Sequence, residues 1–257
     1  MLIVLPPSES KRPPSDDGAP VVLDSLSFPT LRAARARVLE ALLATSAGPD
    51  AFRRLHVGPA MAGEVERNTR LRELPARPAL EVYSGPLHQG LDAASLSPVA
   101  AARAADEVVV VSSLWGLLRP VDRIPPYRLH LDSRLLGMGR LSDSWRAVLP
   151  RVLAVAAGPS GVVLDLRSPG YQATGMPDAL GDRTVTLRVP QSRFGDRMGD
   201  VVAKRVRGQA ARHLLESGES ANDPQALADM LADRWPVELA SPARAGGTWT
   251  LSLFVAD

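Results

Sequence analysis

The feature that most constrains the fold of this 257-residue chain is its alternation between two hydrophobic periods. Short runs rich in valine, leucine and threonine read as strands at Leu2–Leu5, Leu80–Tyr83, Glu107–Ser113, Gly161–Leu166, Thr184–Val189 and Thr248–Val255. Between them, apolar residues return at helical spacing. Thr30–Thr45 carries Leu31, Ala34, Val38 and Leu42 in this way. Ser97 and Pro98 supply an N-cap and a first-turn proline for a helix to about Ala105. Ser142 opens a helix towards Ala157 that Pro150 is expected to kink. Further helices are expected over Asp196–Glu216 and Asp223–Trp235. This order predicts an α/β fold, a single compact domain over 1–257 with a mixed, mostly central β-sheet flanked by helices. A small helical hairpin is expected near residues 50–70, within a subregion reaching 75. Pro13–Pro20 reads as the most mobile loop.

Composition removes several classes of function. Without cysteine there is no disulfide framework, thiolate nucleophile or Cys-based metal site. No apolar run approaches the roughly 20 residues that span a bilayer, and prolines end the first such run after four residues. No leader is therefore expected, and the expected compartment is the cytoplasm. Thirty basic residues face 28 acidic ones, and only Lys11 and Lys204 are lysine. The charge is uneven: Arg183–His213 holds eight Lys/Arg against two Asp/Glu, whereas the acidic tail from Glu216 holds seven acids against two arginines. A locally basic stretch suits an anionic ligand without requiring one.

Three expected strands run out into serine. Leu2–Leu5 leads into Pro6, Pro7, Ser8, Glu9 and Lys11; Glu107–Ser113 ends in Ser112 and Ser113; Gly161–Leu166 leads to Arg167 and Ser168. Open α/β sheets bind ligands at the carboxyl edge of their strands. The three serines share one pocket only if their strands are parallel and adjacent. The segment Ser112–Leu131 crowds Arg119, Asp122, Arg123, Tyr127 and Arg128 among prolines. It reads either as an internally paired Arg–Asp turn or as an anion clamp with Arg119 or Arg128 on a phosphate. Along Asp196–Glu216, Arg197, Lys204 and Arg207 fall on one face, and Gly208 allows a ligand or a backbone to approach it. Arg53–Val65 partly fits a helix-hairpin-helix, with Arg53, Arg54, His56 and Gly58 around its turn. The alternative is a plain packing element. Walker, Gly-x-Gly-x-x-Gly and Gly-x-Ser-x-Gly patterns are missing, and His56, His88, His130 and His213 are scattered, so no cofactor and no dedicated metal site are expected.

Taken together, LPPSESK, YSGPLHQGL at Tyr83–Leu91, SSLWGLLRPVDRIPPYRL, Trp145, DLRSPGY at Asp165–Tyr171 and AKRVRG at Ala203–Gly208 resemble the YaaA family of bacterial peroxide-stress proteins. The resemblance implies a cytoplasmic α/β protein that limits iron-dependent oxidative damage and binds duplex or branched DNA through a helix-hairpin-helix. Its motifs bring Tyr83, Ser113 and Tyr171 into a candidate ligand set with Lys11, Arg119, Asp122, Tyr127, Arg128, Ser168 and Arg207. One departure stands out, because Gly170 replaces the glutamate usual in the family and Arg167 a small residue. The rival reading is a cofactor-independent hydrolase or transferase on a nucleobase, nucleotide or similar anionic small molecule, including a specialised biosynthetic relative. In that reading Glu9 is the general base, Ser8 or Ser168 orients the substrate, and Lys204 with Arg207 holds an anion. Either way, Ser8, Glu9, Lys11, Arg119, Tyr127, Arg128, Ser168, Lys204 and Arg207 are expected to meet in one solvated cleft near charge balance.

Overall fold

The computed structural model describes residues 1–15, 17–190 and 199–255. Among them the strands are β1 (Leu2–Leu5), β2 (Arg77–Pro78), β3 (Val108–Ser112), β4 (Gly116–Leu118), β5 (Arg123–Ile124), β6 (Val163–Asp165), β7 (Thr184–Arg188), β8 (Val237–Ala240) and β9 (Trp249–Leu253). The α-helices are α1 (Arg32–Ser46), α2 (Ala51–Leu55), α3 (Ala62–Asn68), α4 (Ala79–Val82), α5 (Pro86–Leu91), α6 (Pro98–Glu107), α7 (Leu141–Arg146), α8 (Leu149–Ala157), α9 (Pro169–Gln172), α10 (Asp200–Glu216) and α11 (Pro224–Ala232). Seven strands form one mixed sheet in the order β4-β3-β1-β6-β7-β9-β8, and β2 pairs with β5 in a small ribbon.

Strands β3, β1, β6, β7 and β9 are parallel neighbours, while β4 and β8 close the edges antiparallel. The central strands are apolar up to Ser112 and Asp165 at their carboxyl ends because helices cover both faces: every residue of β1, β3 and β6 is buried. Edge strand β8 instead alternates partly buried and exposed residues. The α/β expectation and the mixed central sheet agree with this architecture, and α2 and α3 form the helical hairpin.

Three local expectations are corrected. Leu80–Tyr83 is not a strand: Ala79–Val82 makes one helical turn that buries Ala79 and Val82, three residues apart, on one side. The helix expected from Ser142 to Ala157 is two helices. Pro150 lies in the first turn of α8, where its missing N–H leaves no hydrogen bond unmade, so it starts a helix rather than kinking one. β4 and β8 are strands where none was expected. The segment 191–198, which includes Arg197 of the expected basic face, lies outside the described residues.

Candidate ligand-binding cleft

The condition on the three serines is met, since β3, β1 and β6 are parallel and adjacent. Their carboxyl ends open onto a cleft of two lobes. One, of about 230 Å³, is lined by the loop after β1, by His88 on α5, by Ser168 and Tyr171, and by Lys204 and Arg207 on α10. The other, of about 180 Å³, is lined by Lys11, Ser113, Tyr127, His130, Asp132 and Gly170. Ser8, Glu9, Ser168 and Tyr171 line both. The lining residues include three Lys/Arg (Lys11, Lys204, Arg207) and two carboxylates (Glu9, Asp132), close to the expected balance.

Glu9 and Lys204 therefore face the same cavity. Glu9 is held from the loop after β5: its carboxylate lies 3.5 Å from Arg128 Nη2 and 3.1 Å from His130 Nδ1. Arg128 Nη2 lies 3.0 Å from His130 Nε2. Because the guanidinium only donates, Nε2 accepts and Nδ1–H donates to Glu9. Burial lowers the pKa of His130 below the usual imidazole value, Glu9 opposes that shift, and Arg128 and Lys11 add to it. Arg128 is fixed in turn by Asn68 of α3, which exchanges two hydrogen bonds with its backbone.

Beneath the second lobe runs a buried hydroxyl chain. Tyr83 Oη lies 3.1 Å from Tyr127 Oη, which lies 2.7 Å from Ser112 Oγ. Burial raises both tyrosine pKa values, so both hydroxyls keep their protons. Lys11 reaches over these rings, its Nζ 4.2 Å from the Tyr127 centroid and 5.6 Å from that of Tyr83. Its ammonium donates to the carbonyl oxygens of Ser8 (2.7 Å) and Glu9 (3.4 Å). No carboxylate lies within 4 Å of it among the described residues, and burial together with nearby Arg128 lowers its pKa from 10.5 to about 7.

Helix α10 reaches the cleft because two glycines let backbones touch. A Cβ on Gly208 would lie 1.9 Å from the Leu87 carbonyl oxygen, and one on Gly90 would lie 2.0 Å from that of Arg205. The approach that Gly208 allows is thus by the backbone of α5. Lys204 is paired at 2.5 Å with Asp200. The buried Nε groups of Arg207 and Arg128 and Nδ1 of His88 have no protein partner among the described residues.

Two expected ligand residues are elsewhere. Asp122 is buried and accepts from the Ser27 amide, the Ser27 hydroxyl and the Arg119 amide, each at 2.8 Å. Arg119 Nη1 donates to the carbonyl oxygens of Asp106 (2.5 Å) and Val108 (3.3 Å), at the opposite end of β3 from the cleft. This part of the loop is the internally paired turn. Tyr83 and Arg128 lie behind the cleft lining rather than in it, Tyr83 against Tyr127 and Arg128 against Glu9. Sequence reasoning missed His130 and Asp132 because a lone histidine carries no spacing signal. It also missed Arg35, which is buried in α1 and donates to the Trp115 and Leu117 carbonyls to staple the β3–β4 hairpin.

The hairpin residues gather on the surface beside the second lobe. His56 ends α2 in the left-handed conformation (φ 56°) that glycine favours. Gly58 is extended, with no atom within 4 Å of a would-be Cβ, so nothing crowds its surface. Arg53 is exposed and pairs with Asp50 at 2.6 Å, while Arg54 is tied to the Arg134 backbone. His56 and Arg134 line a depression with Asp132, Arg140 and Ser142, and another with Arg53 and Arg54. Asp132 also lines the second lobe, so each of these depressions shares a lining residue with the next from Arg53 to Arg207.

Fold and site thus define an α/β protein with a polar, lysine-bearing cleft at the carboxyl edge of its sheet and a helical hairpin beside it. The family model described as peroxide stress protein YaaA matches residues 1–238, and the chain belongs to that family. UPF0246 protein SCO2297 of Streptomyces coelicolor is 41% identical over 99% of this chain and 98% of its own length. UPF0246 protein CE1889 of Corynebacterium efficiens is 38% identical over 90% and 91%.

Proposed function

We propose that this peroxide-stress family member binds nucleic acid by its phosphates, along the track from the α2–α3 hairpin to the cleft. The observation that carries this reading is a series of depressions, each sharing a lining residue with the next, with Arg53, Arg54, His56, Arg134 and Arg140 at one end and Lys204 and Arg207 at the other. Gly58 and the left-handed turn at His56 present an uncrowded backbone beside these cations. Such contacts release counterions and read no bases, so binding is salt-sensitive and indifferent to sequence. Limitation of iron-dependent damage is then assigned to the bound nucleic acid, the target that hydroxyl radicals attack.

Fluorescence anisotropy with a labelled duplex and a four-way junction, from 50 to 200 mM salt, tests the proposal. Log affinity is expected to fall linearly with log salt. Replacing exposed Arg53 or Arg140 by serine should lower the slope by about 1 each. Binding that is absent, or flat across the salt series, contradicts it.

A second reading is supported by the cleft itself: an enzyme acting on a nucleotide-like anion. Lys204 and the unpartnered Nε of Arg207 would hold the anion, with Ser8 and Ser168 orienting the substrate at the shared wall of the two lobes. Glu9 as general base is the least supported of these roles, because two donors already engage its carboxylate.

A further inference from the structure

We propose that Lys11 is an imine-forming lysine, and that the cleft takes an aldehyde carried on a phosphorylated sugar. The argument starts from what surrounds the amine. Lys11 lines the second lobe, and its Nζ is seated on two tyrosine rings and donates to two backbone carbonyls, with no carboxylate partner among the described residues. A neutral amine that spends its two hydrogens on those carbonyls keeps a lone pair for the lobe. The charged groups facing it are Glu9 on its own loop, Glu64 on α3 and Arg128 after β5, with His130 beside them. Burial and Arg128 outweigh the two glutamates, so the amine loses its proton near pH 7 rather than 10.5.

The step balances simply. Nζ bonds to the carbonyl carbon and gives up one hydrogen. The carbonyl oxygen takes that hydrogen and one proton from solution and leaves as water, and the nitrogen remains as a protonated imine. Arg207 and Lys204, beyond the wall shared by the two lobes, fit the phosphate of such a ligand. Two sources supply this chemistry: a free sugar phosphate, or the C1′ aldehyde of an abasic deoxyribose in DNA. The second rests on the nucleic-acid reading, since the track would deliver the damaged nucleotide from the hairpin to Lys11.

Borohydride converts the imine into a stable secondary amine, so trapping followed by peptide mapping is the test. The full chain is treated with glyceraldehyde 3-phosphate in one arm and with a duplex containing one abasic site in the other. Besides Lys204 and the N-terminus the chain has no other primary amine, which makes the assignment unambiguous. An adduct on Lys11, forming half-maximally near pH 7, is expected. Lys11→Arg should reduce it at least about tenfold, because a guanidinium stays protonated. Trapping by the sugar phosphate alone supports the lysine and assigns the free source; trapping by the abasic duplex assigns DNA. If the salt series shows no DNA binding but Lys11 still traps the sugar phosphate, the nucleic-acid reading falls and this one stands. No adduct in either arm, or adducts confined to Lys204 or Met1, overturns it.

Discussion

At the scale of single residues, identical side-chain chemistry serves opposite purposes nine positions apart. Arg119 and Arg128 share one proline-rich segment on either side of β5, yet Arg119 staples carbonyls at the start of β3 while Arg128 holds Glu9 beside the cleft. The sequence offered both as anion ligands, and only the strand's direction separates them. Gly170 lines the second lobe with no atom within 4 Å of a would-be Cβ, so a larger side chain at this position would meet open space. His88 gives a prediction at this scale. Burial, despite the bond from its Nε2–H to the Pro6 carbonyl, lowers its pKa from 6.5 to about 4, and nearby Lys11 adds to the shift. The folded state thus refuses a proton that the unfolded state accepts. Stability is full above about pH 6.5 and falls as pH drops towards 4. Urea unfolding at pH 8 and pH 4.5 should show the wild type losing about 2 to 3 kcal/mol more than His88→Gln, which keeps a donor for Pro6 but does not titrate. Equal losses in the two proteins would show that His88 does not carry the acid sensitivity.

Among the elements, the strands buried on both faces were the most legible. Uninterrupted runs such as VVVV have no alternative use at the centre of a parallel sheet, and β1, β3 and β6 lie where expected. Edge strand β8 was not legible, because a four-residue segment with one face in water resembles a polar tail. Leu80–Tyr83 misled for the converse reason: one helical turn with two buried positions carries the same letters as a short strand. The crossing of α5 on α10 was legible only as a glycine awaiting a partner, and it sets the distance from Lys204 and Arg207 to the sheet edge. In Gly208→Ala the new Cβ would meet backbone rather than a flexible side chain, so a loss of about 1 to 3 kcal/mol is expected in urea unfolding. Weaker anion binding should accompany it as α10 is pushed outward. Gly63→Ala in α3, where nothing lies within 4 Å, should be neutral or slightly stabilising. Similar effects at the two glycines would mean that the crossing is not tight.

For the whole molecule, the convergence of residues up to 199 positions apart follows from sheet order, which no local pattern encodes. Three serines at strand ends suggested it, and the parallel, adjacent pairing of β3, β1 and β6 makes it geometry. The same topology sets the α2–α3 hairpin beside the second lobe, with Asn68 and Asp132 as the joints. Nor does the chain contain a helix long and apolar enough to cross a membrane, among its described residues. In the proposed function, hairpin and cleft form one binding track. Hydrogen–deuterium exchange with and without a short duplex at low salt tests it directly. Protection is expected together at residues 53–58, at 128–134 and at 204–207, each weakening as salt is raised. Protection confined to the hairpin, with the cleft segments exchanging as in the free protein, would contradict a continuous track.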